Sequence, residues 1–460
     1  MRKILFINAI DPSRELQSRY PHLGFGYLAS VLREKYGPGS FEFKVFSQGV
    51  KKTLSEFKPD LVCLSSVTQN YGFAKKYAEI VKSHDRGIPV FMGGVHISAL
   101  PHTLDKNMDV GILGEGEETI ADLVSALEGE LNASKLKKIR GLAFWENNKL
   151  SYTGIREPIN PLDKLPMPAR DILDIDAHTY MFTSRGCPYS CVFCSSSRFW
   201  DKLRFFSAEY VVREIKHIKE TYPQVKMISF YDDLFIANKP RLQKIVELLK
   251  EEGLHEKLAF SCSCRANLVT DDVVRLLKEM NVVSIGMGLE SGNQRILTYL
   301  KGEGITVEHN RNAVKTIRKH GMAANASFVI GSPDETREEI LQTLGFIKEI
   351  DLDFVDTYVL TPLPGTPIWE YARKRGLVSG DMDWGKLDVS FAENHKQAII
   401  LSEKLSREEL LSLYRKFQLL RYRIMLKNAF KHPFALDIPK IISKIALLKI
   451  KYALSPQKVE

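Results

Sequence analysis

The 460-residue sequence has few cysteines, no long apolar run and no strong excess of either charge. Each shortage excludes something. No stretch approaches ~18 uninterrupted apolar residues, so no transmembrane helix is expected. Lys and Arg number 65 against 56 Asp and Glu, and a net charge of +9 on so long a chain is too small to argue for a nucleic-acid partner. Six cysteines do not make a disulfide framework at this length. Met1–Asn8 opens with charge as a signal peptide does, but its apolar run is too short and reads as a strand. The 44 % apolar and 26 % charged content is that of an ordinary soluble globular protein, with room for about three domains. A cytoplasmic location is expected.

What is present is concentrated. Cys187, Cys191 and Cys194 lie within eight residues at C-x3-C-x2-C spacing. Closely spaced thiolates hold iron–sulfur clusters and point to a reducing compartment. Three protein thiolates on a four-iron cluster leave one iron open to bind and polarise a substrate. A zinc site and three unrelated core thiols are the alternatives. Zinc wants four ligands, and no fourth Cys or His sits nearby at matching spacing. Cys262 and Cys264 share one side of an expected strand. Packing is the reading for them, with a catalytic thiol or a second cluster as the alternative. Cys63 reads as core.

Strands and helices alternate in two stretches. In the first, Lys3–Asn8, Phe41–Ser47, Asp60–Ser66, Ile88–Met92 and Asp109–Leu113 read as short buried strands. Helical patterns cover Gly24–Tyr36, Lys51–Phe57, Tyr71–Ser83, Ile97–Leu104 and Glu117–Leu127. Such alternation predicts a doubly wound parallel sheet that binds its ligand at the carboxyl ends of the strands. Those ends carry Ser65–Gln69, Gly93–His96 and Gly114–Glu117, where hydroxyls offer hydrogen bonds and glycines let a ligand approach the backbone. Asn8–Ser13 replaces the G-x-G-x-x-G that a dinucleotide site prefers after the first strand.

Residues 132–177 read as a linker. They carry a hairpin signal around Glu146–Asn148 and then Pro158, Pro161, Pro166 and Pro168. From residue 178 the alternation resumes, with strands at Tyr180–Ser184, Met227–Tyr231, Leu258–Cys262, Val283–Leu289, Ala324–Ile330 and Phe354–Leu360. Ser207, Asp271 and Ser332 are candidate cap-region residues. Chemistry in parallel barrels gathers at the carboxyl ends. There the sequence places Asp232 and Asp233, Arg265, Glu290 and Ser291, Gly331, and the stiff loop Thr361–Pro367. Residues 386–460 are mainly helical and basic, with ten Lys/Arg and one acid between Arg415 and Lys451. That tail either packs on the preceding domain or lies on an anionic membrane.

The cysteine spacing, with aromatic Phe193 before the third cysteine, resembles the radical S-adenosylmethionine superfamily. Residues 1–131 resemble the cobalamin-binding domain that precedes many such cores, and Leu165–Arg170 resembles the string that commonly leads into the motif. The resemblance implies an α/β chain: a Rossmann-like doubly wound sheet, a partial (β/α)6 TIM-type barrel over 178–385 and a helical tail. It implies a 4Fe-4S cluster on Cys187, Cys191 and Cys194, with S-adenosylmethionine on the fourth iron. It places Phe193 beside the cluster, Asp232 or Asp233 at the cofactor's amino group, and Arg265 at its carboxylate. Glu290 is placed at the ribose or amino group, Ser291 at nearby polar contacts, Gly331 at the adenine, and Thr361–Pro367 toward the substrate. It implies cobalamin between the two domains, its nucleotide tail lined by Ser65, Ser66, Thr68, Gly93, Gly94, Gly114 and Gly116. The Asp-x-His-x-x-Gly string that puts a histidine on cobalt is missing, so cobalt without a histidine ligand from this protein is expected, and His96 is a polar neighbour.

The implied activity is methylation of an unactivated carbon through a 5′-deoxyadenosyl radical and methylcobalamin. Oxidative cyclisation or rearrangement with the same cofactors is the alternative. A non-catalytic cobalamin sensor would have no need of the intact cysteine set. The three cysteines outside the motif cannot build a second four-cysteine cluster, which argues against the methylthio-transferring relatives. The implied partners are a small-molecule, lipid or peptide substrate and a reductant such as flavodoxin or ferredoxin. Peripheral membrane contact would run through the tail.

Overall fold

The computed structural model describes residues 1–10, 21–46, 49–129, 131–200, 202–389 and 391–428. They form two units, one built on Met1–Ile175 with Val378–Gly385, the other on Asp176–Leu377 with the described residues from Lys386 to Asn428. Residues 11–13, Ser47 and the basic tail from 429 lie outside the described residues.

The first unit holds strands β1 (Arg2–Asn8), β2 (Phe41–Val45), β3 (Leu61–Ser65), β4 (Val90–Gly93) and β5 (Val110–Ile112). Between and after them run α1 (Leu23–Tyr36), α2 (Val50–Phe57), α3 (Tyr71–His84), α4 (Val95–Ala99) and α5 (Glu117–Ala126). The five strands pair in parallel in the order β2-β1-β3-β4-β5. Parallel strands covered on both faces need unbroken apolar sequence. Accordingly Ile4, Leu5, Phe6 and Ile7 are all fully buried.

Two local outcomes differ from the sequence pattern. The apolar spacing of Ile97–Leu104 suggests one helix, but α4 stops at Ala99 and a 3-10 turn follows at Pro101–Thr103. Pro101 has no N–H and disfavours helix at the residue before it. The hairpin expected in the linker forms as β6 (Leu142–Glu146) and β7 (Lys149–Tyr152), and it extends the sheet, with β6 antiparallel to β5. Its turn residues Asn147 and Asn148 both have positive φ, 49° and 61°, as a two-residue hairpin turn of the twisted kind requires. The Pro-rich segment then lies along α1. Ala169 N donates to Gly26 O at 3.0 Å, and the Arg33 fork takes both Asp171 oxygens at 2.8 Å.

The second unit holds six parallel strands whose spatial order is their chain order: β8 (His178–Met181), β9 (Met227–Phe230), β10 (Ala259–Cys264), β11 (Val282–Glu290), β12 (Ala323–Ile330) and β13 (Phe354–Val359). This is the expected open (β/α)6 arrangement, with β8 and β13 as edges. The longer helices are α6 (Ala208–Thr221), α7 (Lys239–Glu251), α8 (Asp271–Glu279), α9 (Gln294–Lys301), α10 (Val307–Lys319), α11 (Arg337–Glu349), α12 (Pro367–Lys374) and α13 (Arg407–Asn428). Ser207 caps α6 by accepting from Tyr210 N at 3.0 Å. The cap of α11 is Thr336 in a capping box with Glu339, four residues beyond Ser332.

An exposed strand edge invites unwanted pairing. Along β13, α13 covers that edge: Asn428 Nδ2 donates to Leu352 O at 3.1 Å and Arg421 pairs with Asp356 at 3.3 Å. Among the described residues no helix is long and apolar enough to cross a membrane.

The first core is tested at Phe6, fully buried and stacked on Phe25 at 4.8 Å. Phe6→Ala should lower stability by about 3–5 kcal/mol in urea titration followed by tryptophan fluorescence and circular dichroism.

Candidate active site

The cysteine loop hangs from the end of β8. Its stem is a two-residue ribbon, Ser184–Arg185 paired antiparallel with Arg204–Phe205. Gly186 turns the chain at φ +95°, where a Cβ would lie 2.6 Å from Lys202 O. Buried Asp232, just past β9, clamps the stem. Its carboxylate accepts from Thr183 N at 2.6 Å, Thr183 Oγ1 at 2.5 Å and Ser184 Oγ at 2.8 Å. Burial pushes the Asp232 carboxyl up, and those hydrogen bonds oppose the shift. Asp233 is exposed and accepts from Ser196 Oγ, two residues beyond Cys194. The sequence left the two carboxylates interchangeable; the geometry gives the first to the stem and the second to the loop.

Cys187, Cys191 and Cys194 are free and half-buried, as is Phe193 between the last two. The loop is tied to its surroundings by backbone. Val192 N donates to Leu300 O at 3.0 Å, and Val192 O accepts from Ile368 N at 3.2 Å. Burial raises the Cys187 and Cys194 thiols. Among the described residues no three Cys, His, Asp or Glu come close enough to hold one metal ion. Three thiols on one loop suit a cluster in which each thiolate takes a separate iron. A cavity of about 350 Å³ opens beside Cys187.

Buried Arg265 follows β10. Its guanidinium lies over the Tyr189 ring at 3.9 Å, with Nη1 3.6 Å from Cys191 Sγ and Nη2 donating to Lys301 O at 3.2 Å. Its Nε is buried and has no hydrogen-bond partner among the described residues. Glu290 ends β11 at φ +59°, a left-handed position for a residue other than glycine. Burial raises its carboxyl, opposed by Lys301 at 3.4 Å. Ser291, expected near the cofactor, turns the other way. It is fully buried, bonds Thr343 Oγ1 at 3.0 Å and accepts from Asn293 N at 3.1 Å, so its hydroxyl fastens the β11–α9 turn to α11.

Gly331 (φ +83°) and Ser332 donate their N–H groups to one oxygen of Glu335 at 2.7 and 3.0 Å. Burial pushes that carboxyl up to about 7. Its other oxygen and Ser332 Oγ are buried without hydrogen-bond partners among the described residues. The sequence places Glu335 only as the last residue of the Val329–Glu335 stretch expected over the adenine, and gives Lys301 no role. Neither carries a local signal, because a carboxylate four residues after a glycine and a lysine at a helix end are commonplace.

In the first unit, β3, β4 and β5 bring Ser65, Ser66, Thr68, Gly93, Gly94, Gly114 and Gly116 to one sheet edge, with Ser65 directly across from Gly93. Gly94 packs so closely that a Cβ would lie 2.9 Å from Ser65 Oγ, whereas one on Gly114 would meet nothing within 4 Å. Gly114 N donates to Ser98 Oγ at 3.0 Å. Ser66 Oγ is buried without a hydrogen-bond partner among the described residues. The unanswered Ser66 hydroxyl and the open space at Gly114, both on this sheet edge, fit a polar ligand tail. His96 is fully buried, stacked on Tyr71 at 3.9 Å, edge-on to Trp384 at 5.0 Å and bonded to Thr103 Oγ1 at 3.0 Å. Burial lowers it to about 3, so it stays neutral.

A cysteine-bearing open barrel and a ligand-binding parallel sheet together define a radical enzyme with a second, sheet-bound cofactor. The profile of the Radical SAM superfamily matches residues 181–347, and that of the B12 binding domain matches residues 13–124. The chain is similar to the uncharacterized methyltransferase PH0819 of Pyrococcus horikoshii, 36 % identical over 430 residues and covering 90 % of each chain. The anaerobic magnesium-protoporphyrin IX monomethyl ester cyclase of Cereibacter sphaeroides is 24 % identical, covering 94 % of this chain and 72 % of that one. The structure of the cobalamin-dependent S-adenosylmethionine radical enzyme OxsB, with aqua-cobalamin and S-adenosylmethionine bound, aligns at TM-score 0.73 and 18 % identity over 100 % of this chain and 74 % of that one. That likeness speaks to the fold. The chain belongs to the cobalamin-binding radical SAM enzymes. Its cofactors are a 4Fe-4S cluster, S-adenosylmethionine and cobalamin.

Two predictions follow from the stem and the Glu335 loop. Asp232→Ala should cut iron and sulfide per chain after anaerobic reconstitution, since three bonds to the stem disappear together. Glu335 holds its proton more tightly in the folded chain than unfolded, where its carboxyl titrates near 4.5. Its stabilisation is therefore full below the unfolded value and is lost as pH rises through about 7. Urea unfolding should show stability falling between about pH 5 and about pH 8 by up to ~3 kcal/mol, and Glu335→Gln should flatten that slope.

Proposed function

We propose that the chain is a methyltransferase that acts on an unactivated carbon of a polar substrate. In this reading Cys187, Cys191 and Cys194 each take one iron, with Phe193 packed beside them. Asp233, Arg265 and Glu290 surround the methionine end of S-adenosylmethionine, and the Gly331–Glu335 loop covers its adenine. When bound, the cofactors supply a 5′-deoxyadenosyl radical for hydrogen abstraction and a methyl group for transfer.

The protein's part is orientation. The observation that carries the reading is Arg265, buried, stacked on Tyr189 and placed against Cys191, with its Nε unanswered. A guanidinium fixed in plane can donate to a carboxylate with little further loss of freedom. In the first unit, Ser65, Ser66, Thr68, Gly93, Gly94, Gly114 and Gly116 hold the nucleotide tail of cobalamin. His96 is fully buried, stacked on Tyr71, edge-on to Trp384 and bonded to Thr103, which supports cobalt without a histidine from this chain.

The substrate's polarity is inferred from one face of the second sheet. On β13 the buried residues Val355, Thr357 and Val359 face away from Phe354, Asp356 and Tyr358. Strand pairing sets Ser327 beside Asp356 and Gly288 beside Ser327, with Ser263 and Ser284 on the same face. Tyr231 is 54 % and Tyr358 39 % exposed, which marks this face as open space rather than core. Hydroxyls and a partly exposed Asp356–Arg421 pair suit a small molecule or peptide with hydrogen-bonding groups. A hydrocarbon lipid would strip water from them without replacing its bonds. We place the enzyme in the cytoplasm with flavodoxin or ferredoxin as electron donor; the tail invoked for membrane contact lies outside the described residues. Similarity to a cyclase favours oxidative cyclisation as the second reading.

The test is anaerobic reconstitution with iron, sulfide and hydroxocobalamin, then reductant and S-adenosylmethionine, with products quantified by mass spectrometry. Both 5′-deoxyadenosine and S-adenosylhomocysteine should exceed a Cys187→Ala control. Deoxyadenosine alone, with cobalamin bound, favours cyclisation. Neither product from a fully loaded cluster would overturn the enzyme reading.

A further inference from the structure

Lys301, the last residue of α9, is 8 % exposed. A buried ammonium survives only where charge and hydrogen bonds answer it. It donates to Gly288 O at 2.5 Å and lies 3.4 Å from Glu290 Oε1. Its own carbonyl accepts from Arg265 Nη2 at 3.2 Å, and the preceding carbonyl, Leu300 O, accepts from Val192 N at 3.0 Å. One helix end thus binds the cysteine loop, Arg265 and Glu290 through separate bonds. A helix C-terminus also favours a cation.

Glu290 is the unusual partner. Its φ of +59° is a region that side-chain-bearing residues leave unless their surroundings hold them there. Its side chain folds back over Gly288, where a Cβ would lie 2.2 Å from Oε1. Glycine and lysine together therefore fix the carboxylate. Its second oxygen makes no hydrogen bond among the described residues and is left free for a ligand. A buried ion pair is a weak source of stability, because desolvation offsets attraction. The strained backbone, the close fit at Gly288 and the free oxygen point to use rather than stability.

We propose that Lys301 is a positioning residue for S-adenosylmethionine: its ammonium holds Glu290 charged and aimed at the cofactor, and its carbonyl holds the Arg265 guanidinium. The proposal rests on the placement of Glu290 and Arg265 given above. The test compares cluster-loaded wild type, Lys301→Met and the double variant Glu290→Gln/Lys301→Met. Two readouts are taken anaerobically: the thermal midpoint, and the Kd for S-adenosylmethionine by equilibrium dialysis.

Lys301→Met should lower the midpoint and weaken binding ~10–100-fold, the range of a lost charge-assisted hydrogen bond. The double variant removes the uncompensated buried charge, so its midpoint should recover while its binding stays weak. If binding recovers along with the midpoint, the pair is structural and the proposal is overturned. Wild-type affinity in Lys301→Met overturns it equally. A wild-type protein with a full cluster and no affinity for S-adenosylmethionine would instead overturn the placement of the whole site.

Discussion

Among the described residues, the loop from Gly186 to Trp200 has no strand pairing of its own, so the barrel mouth depends on how neighbouring elements hold it. Irregular backbone must find its hydrogen bonds elsewhere. Asp232 grips the stem through Thr183 and Ser184, Leu300 and Ile368 take the two backbone groups of Val192, and Arg265 reaches Cys191. These contacts come from the ends of β9, β10, α9 and α12. A loop fixed from four directions holds its three thiols in a set arrangement with little freedom left to lose when a cluster binds.

The two units use the same physics for different ligands. In each, parallel strands end on one edge, and the chain leaving each strand is free of ladder pairing. That edge collects exposed N–H groups, small residues and helix starts, so polar groups can converge there without disrupting the core. In the first unit the result is a rim of hydroxyls and glycines with little charge. In the second, the strand ends and the end of α9 carry Asp232, Asp233, Arg265, Glu290 and Lys301. The contrast fits a neutral docking rim on one side and control of a zwitterionic sulfonium compound on the other.

Most of the fold was legible because buried parallel strands demand continuous apolar runs. Met227–Phe230 and Ile4–Ile7 announce themselves without any knowledge of their neighbours. The site was legible only as strand ends. Asp232 and Asp233 differ in role because successive residues past a strand point to different sides, which sequence spacing alone does not orient. Ser291 looked available but is taken by Thr343, a residue 52 positions away. Lys301 was invisible for the same reason: its ammonium is answered by Gly288 and Glu290 on another element, and at the end of α9 it reads as one more solvated lysine.

The absence of a side chain at Gly288 connects these threads. Register places Gly288 beside Ser327 on the open face of the sheet, and its carbonyl receives the Lys301 ammonium. Any Cβ there would collide with the Glu290 carboxylate. Glu290, Lys301 and Gly288 therefore form one unit in which shape and charge cannot be altered separately. An alanine at 288 would displace Glu290, leave Lys301 with a changed partner and disturb the carbonyl that steadies Arg265. The electrostatics of the barrel mouth thus rest on a steric condition inside β11.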